Sequence, residues 1–487
     1  MNFKTVTKKM FASVGAVVFL FAAVCAPSVT YSAEPSTVRV LSEVEGRTFT
    51  ELSDGQSINY ASEGGHRDST GAEGAGRGVV SYSTDGNRAV LTLDNVDVMT
   101  DSGLMSASIG SGDLDVVLNG TNSITSNKTA ILASSNNIRF VGSGTLTISQ
   151  NTENSAISTL SGGNIEFATD SDITINQAAA ASAINSSGNL TVTSGNVNVV
   201  QSGAAEAVAV GGSTTISGGA LNITQNADDN AVNTAGALNM DSGRLATSNT
   251  GATGNGLNVA GAINLTGGMV ESIIGGASTG IPVYGGESIT INGANVRAIG
   301  AAGSTPYGIS TAGGKNIVIH RGSVVEAVGN TNAINPANLI IDDSVDWVAL
   351  AGQSADTAAR LAEVKGSDIK RAITDGGYDF VRLYNEIVLL PNAVTYDRNT
   401  AAREHTEITV VLGLNGNMLT EIGEGNTALQ VGRDYVLNYN GADLISVTFQ
   451  VREYLETLAV GTHILTFRFN NGTTADFALN VVNTSVA

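Results

Sequence analysis

Between about residues 88 and 341 the chain repeats one pattern: four or five residues alternating apolar and polar, bounded by Gly, Asn or Ser. Short apolar marks recur at Ile131, Ile157, Ile184, Val208, Val232, Leu257, Ile281, Ile309 and Ile334. Each precedes an alternating pair such as Asn189-Leu190-Thr191-Val192, then a glycine turn (Gly144, Gly195, Gly219, Gly243, Gly268, Gly293) that opens a second pair. Period-two alternation of this length predicts a strand with one buried face. No helical stretch is available to return parallel strands through a crossover, so three strands per repeat predict an all-β, right-handed parallel β-helix of about ten rungs. Its inward positions are expected to include Leu190, Val192, Ile216, Leu238, Ile263, Leu265, Ile289 and Ile317, and Leu91, Leu93, Leu114, Val116 and Leu118 carry the pattern back to the first rungs.

An open rung is an unpaired sheet edge, so both ends need covers. Residues 34–87 are expected to cap the start, with a glycine-rich loop over 71–78, and 342–387 the end. There Ser354 is an N-cap candidate for a helix to Lys365 stopped by Gly366, with a second short helix from Ser367 and a strand over 378–384. From 388 to 487 the pattern changes to six or seven longer strands with tight turns, which predicts an antiparallel sandwich.

That sandwich carries Tyr396-Asp397-Arg398-Asn399, Gly432-Arg433-Asp434-Tyr435, Glu453-Tyr454-Leu455 and Leu465-Thr466-Phe467-Arg468-Phe469. In these motifs it resembles the immunoglobulin-like X-two module of cellulosome scaffoldins and bacterial glycoside hydrolases. The resemblance implies a noncatalytic accessory module of polysaccharide-processing surface proteins. The coil, through Leu118-Asn119-Gly120-Thr121, Gly142-Ser143-Gly144-Thr145-Leu146-Thr147-Ile148 and the later Gly-Gly-x-Leu-x-Ile turns, resembles the pectate-lyase-like, polysaccharide-binding β-helix domains of clostridial surface proteins. That second resemblance implies glycan binding associated with calcium.

The first 33 residues read as a secretory signal: basic Lys4, Lys8 and Lys9, an apolar run from Phe11 to Ala26, and small residues at Ser32 and Ala33. A lipoprotein signal ending at Cys25 is disfavoured by Val24 beside it. Cleavage near Ala33 removes the single cysteine and takes the net charge from −20 to −23. The expected product is secreted or displayed at the cell surface, without a disulfide or a transmembrane helix. Such acidity argues against a nucleic-acid partner, because phosphate binding needs clustered Lys and Arg.

Candidate chemistry is sparse. The four histidines, His66, His320, His405 and His463, fall in separate contexts, so no nucleophilic triad is expected and no catalytic residue is assigned. Aligning the middle strands places Asp115, Arg139, Glu166, Thr191, Thr215, Asn239, Asn264 and Thr290 on one outward column. Within it Asp115, Arg139, Glu166, Thr191 and Asn239 are the ligand-binding candidates. A second column carries Thr147, Thr174, Asn198, Asn222, Glu271, Arg297 and Glu326, with Gln150, Gln177, Gln201 and Gln225 beyond it as a ladder of amides bonded up the coil. The acid pairs Asp94/Asp97, Asp113/Asp115, Asp170/Asp172, Asp228/Asp229 and Asp342/Asp343 fall mostly at turns. There, oxygen ligands for calcium are expected from Asp94, Asp97, Asp113, Asp170 and Asp172. Three readings follow: a polysaccharide-binding protein, a surface spacer or adhesin, and a lyase or hydrolase acting at Asp115, Arg139 and Glu166.

Overall fold

The computed structural model describes residues 38–484 except 42–48, 61–70, 73–75, 86–87, 102, 108–112, 135, 277, 302, 386, 402–406, 415–416, 440–443 and 471. The expected signal at 1–33, with Cys25, and His66 and His405 lie outside these residues.

Alternating segments with apolar residues two apart can bury one face only if further layers stack above and below. The chain does this as a parallel β-solenoid of about ten turns. Short strands from Met105–Ala107 through Ile131–Ala133, Ile157–Thr159 and onward to Asn332–Ile334 stack in one sheet. In the middle rungs the other two faces share one bent strand, as in Thr214–Gln225, which turns at Gly219 (φ 60°) and resumes register on Leu190–Gln201 beyond the corner. The eight inward positions named above are all at most 1% exposed. Phe140 and Phe167 are register partners, and their rings stack inside the coil with centroids 5.1 Å apart.

Two details of the repeat differ from the pattern. The mark of the seventh rung is Val283, not Ile281, since Val283 pairs with Leu257 and Ile309. In the rung containing Gly142-Ser143-Gly144 the positive φ falls on Gly142 (99°) rather than on Gly144.

The solenoid start is covered by antiparallel pairing. Val38–Leu41 lies between Phe49–Leu52 and Met105–Ala107, while Arg77–Asp85 pairs with Arg88–Thr100. The glycine-rich segment expected as a loop to residue 78 therefore becomes strand from Arg77.

At the other end the helix expected over 354–365 is corrected. Ser354 does cap a turn, but only the 3-10 turn Ala355–Thr357. Ala359–Arg360 then pairs with Leu350–Ala351, and Leu361 N donates to the Ala349 carbonyl at 2.9 Å, so sheet pairing overrides local helix propensity. The helix is Gly366–Gly376: Gly366 starts it rather than stopping it, and Gly377 (φ 57°) ends it. Ile369 and Ile373, one turn apart, bury their side chains at the end of the coil. Phe380–Tyr384 runs antiparallel to Val324–Val328 and Val348–Gly352.

Residues 388–482 form two sheets around a separate core. Val388–Leu390, Ile408–Gly413, Leu444–Phe449 and Tyr435–Tyr439 make one; Ala393–Asp397, Thr474–Val482, Gly461–Phe469, Leu419–Glu424 and Thr427–Ala428 make the other. Phe449 centres the packing, with Tyr454 and Phe477 rings each 5.9 Å away. Among the described residues no helix is long and apolar enough to cross a membrane.

Candidate functional site

Parallel register turns one position per rung into a column, with neighbours about 4.8 Å apart. The first column runs as expected: Asp115 beside Arg139, then Glu166, Thr191, Thr215, Asn239, Asn264 and Thr290. Seven steps make the polar track roughly 34 Å long. Apolar neighbours end it, with Val90 before Asp115 and Val318 after Thr290.

The track is not uniform. Asp115 takes a fork from each side: Arg88 Nε and Nη2 donate at 3.1 and 2.6 Å, Arg139 Nε and Nη2 at 3.1 and 2.9 Å. It is consequently 7% exposed, covered by two half-exposed guanidiniums. Burial alone would raise its pKa, but the hydrogen bonds and charges of Arg88 and Arg139 outweigh that and hold the carboxyl below its ordinary value. The same bonds hold the Arg88 guanidinium above its own.

Beside the column a corner ladder uses asparagine oxygens for backbone N–H groups: Asn137 accepts from Asn164 N, Asn164 from Asn189 N, and Asn189 from Ser213 N, at 2.6–2.8 Å. Ladder and column together enclose a shallow depression of about 190 Å³ that includes Arg88, Arg139, Glu166 and Thr191. Its open polar groups suit hydroxyl-bearing ligands. Thr191 and Glu166 face it, Asp115 is enclosed by its arginines, and Asn239 lies farther along the track bonded to Asn264 Nδ2 at 2.9 Å. Arg88 is the member that the repeat pattern did not single out, because it precedes the first alternating pair.

The second column also forms, and its far end is a charge relay. Arg244 reaches Glu271 at 2.7 Å, Arg297 joins Glu271 at 2.8 Å to Glu326 at 3.1 Å, and Arg382 follows at 3.9 Å from Glu326. The glutamines stack in register but do not bond to one another as expected. They are buried, and each Nε2 donates to carbonyls of the adjoining turns, as Gln201 does to Ala179, Ala181 and Gly203 at 2.9–3.2 Å. The amides lie inside the corner, so the nearest acceptors are turn carbonyls.

The acid pairs serve local structure. Asp94 accepts from Asn95 Nδ2, Asp113 from Asn137 Nδ2 and Asp172 from Asn196 Nδ2, while Asp97 stands across from Arg77 and Asp170 is exposed. Asp342 accepts from Ser344 N, and Asp343 from Ser367 N in the first turn of the helix. Among the described residues no three His, Cys, Asp or Glu side chains converge as metal ligands. His320 ends a solenoid strand. His463 bonds Glu424 at 2.6 Å and the Ala459 carbonyl at 2.9 Å, which together overcome burial and raise its pKa.

In the sandwich the signature residues hold the fold. Asp397 accepts from Asn399 N and Thr484 N, and Asp434 pairs with Arg433 and accepts from Gln430 N. Tyr435 and Tyr454 pack on Phe449.

Comparison with known proteins adds the following. A xyloglucanase of Paenibacillus sp. is 36% identical over 95 residues, covering 20% of this chain and 8% of the relative. Cellulose-binding protein A of Clostridium cellulovorans is 28% identical over 163 residues, covering 32% of this chain and 8% of the relative. The chain thus spans less than a tenth of the length of either. A tri-modular GH5 endo-beta-1,4-glucanase structure from Bacillus licheniformis matches at 23% identity over 20% of this chain and 19% of that one, with a TM-score of 0.18. The model of the Carbohydrate binding domain X2 family matches residues 389–479, so the chain joins a parallel β-solenoid to a C-terminal segment similar to that family.

Proposed function

We propose that the chain is an exported, noncatalytic polysaccharide-binding protein directed at plant cell-wall or acidic glycans. The match of residues 389–479 to a carbohydrate-binding family carries this reading. Relatives named as a cellulose-binding protein and a xyloglucanase make β-glucans the first class to test. The solenoid contributes a straight polar track on which a polymer can touch several weak sites at once, the arrangement that gains most from multivalency. Asp115 argues against acid catalysis at the column: a general acid needs a raised pKa, and two guanidiniums lower this one. The same enclosure favours, as a second reading, a solenoid that acts as a spacer beside the X2-type segment.

Pull-down of the protein on insoluble cellulose and on pectate, each with and without chelator, tests the proposal. Retention on either supports binding, and loss on chelation would bring calcium into it. Failure on both leaves the spacer. Appearance of unsaturated uronate product during incubation would refute the noncatalytic assignment.

A further inference from the structure

A cavity lies where the last solenoid rungs meet the 472–474 hairpin of the sandwich, lined by none of the residues of the first column. It holds about 570 Å³, within the size range of small-ligand sites. From this geometry we infer that the groove binds the carboxylate of a short acidic oligosaccharide, with Arg382 as its anion fork; this rests on the polysaccharide-binding reading and gives it a second, separate site.

Arg382 sits on Phe380–Tyr384 opposite Glu326. Its nearest carboxylate oxygen, Glu326 Oε2, is 3.9 Å away, beyond hydrogen-bond range, and its guanidinium carbon stands 5.7 Å from the Tyr384 ring centroid. Among the described residues the guanidinium makes no hydrogen bond, and Arg382 lines the groove. By contrast, the neighbouring Arg297 already serves Glu271 and Glu326. The relay of Arg244, Arg297 and Arg382 with Glu271 and Glu326 has one more positive than negative charge, in a chain of net charge −20. A planar guanidinium with free parallel N–H groups matches a carboxylate bidentately. Val324 gives the groove an apolar floor for sugar C–H faces, and Asn295 with Thr474 supplies polar walls for hydroxyls. A carboxylate, an apolar face and hydroxyls occur together in a uronate sugar.

Isothermal titration of the full chain with trigalacturonate, cellotriose and triaspartate tests this. Trigalacturonate should bind saturably and the other two should not. Arg382→Gln should weaken binding about tenfold or more, the loss of a charge-assisted bond, while Arg382→Lys, which keeps charge without the fork, should fall between. Arg371→Gln, on the exposed face of the Gly366–Gly376 helix and away from the groove, should bind like the parent, and an unchanged melting temperature for Arg382→Gln shows that its fold is kept. Absence of trigalacturonate binding, full binding by Arg382→Gln, or equal binding of triaspartate overturns the inference. Parallel pull-downs separate it from the wider reading. A protein retained by polymers yet blind to trigalacturonate sinks the groove alone; one that binds trigalacturonate yet no polymer sinks the polysaccharide reading alone.

Discussion

Replacing Asp115 with Asn keeps the side-chain shape and removes the charge that two arginines share. Four hydrogen bonds of 2.6–3.1 Å converge on this carboxylate, which is 7% exposed. Removing one partner of a fully buried pair costs about 3–5 kcal/mol, whereas an exposed pair is worth about 0–1 kcal/mol. Arg88 and Arg139 have side chains 37% and 36% exposed and regain water when released, so the expected loss is intermediate, about 1–3 kcal/mol. The loss depends on pH in a defined direction. Because the folded pKa is depressed, the stabilisation is present in full above the unfolded value and disappears as pH falls through the folded one. Urea unfolding of parent and Asp115→Asn should therefore differ by a constant amount near neutrality and converge only below the ordinary carboxylate range. A difference that stays the same from about pH 7 to about pH 2 would show that shape, not charge, is at stake and would refute the reasoning.

Other outcomes follow from the same geometry. Ile263→Asp puts an unpaired charge into a row stacked between Leu238 and Ile289 and should cost about 3–5 kcal/mol by denaturant unfolding, or prevent folding. Gln201→Leu removes three bonds to turn carbonyls, so hydrogen exchange should speed up in the turns at 179–181 and 203–205 while the strands keep their protection. Gly243→Ala should lower the melting temperature. Its φ is 75°, and a Cβ there would meet the Gly219 carbonyl oxygen at 2.6 Å, a clash worth at least about 1 kcal/mol.

The columns were legible because period-two alternation fixes which side chains face out, and a repeat of near-constant length fixes which ones stack. The pattern cannot resolve a slip of two residues, which preserves parity, and Ile281 and Val283 differ by that amount around Pro282. The helix was misplaced for another reason. Ser354 is a real cap, but the decisive signals lay later, in the Ile369/Ile373 pair and Gly377, and only the pairing of Ala359–Arg360 with Leu350–Ala351 explains why the chain leaves its turn for a strand there. Asp115 was read correctly as outward-facing, but its enclosure depends on Arg88, one rung earlier. The groove at Arg382 was not legible, because it joins residues from the solenoid, its end cap and the sandwich.

The central claim, that this protein binds a polysaccharide, is tested most directly by affinity electrophoresis of the native chain through gels containing soluble xyloglucan, polygalacturonate or no glycan. Binding predicts mobility that falls progressively with glycan concentration in at least one gel, relative to a nonbinding standard. Mobility unchanged in every gel at every concentration would contradict it.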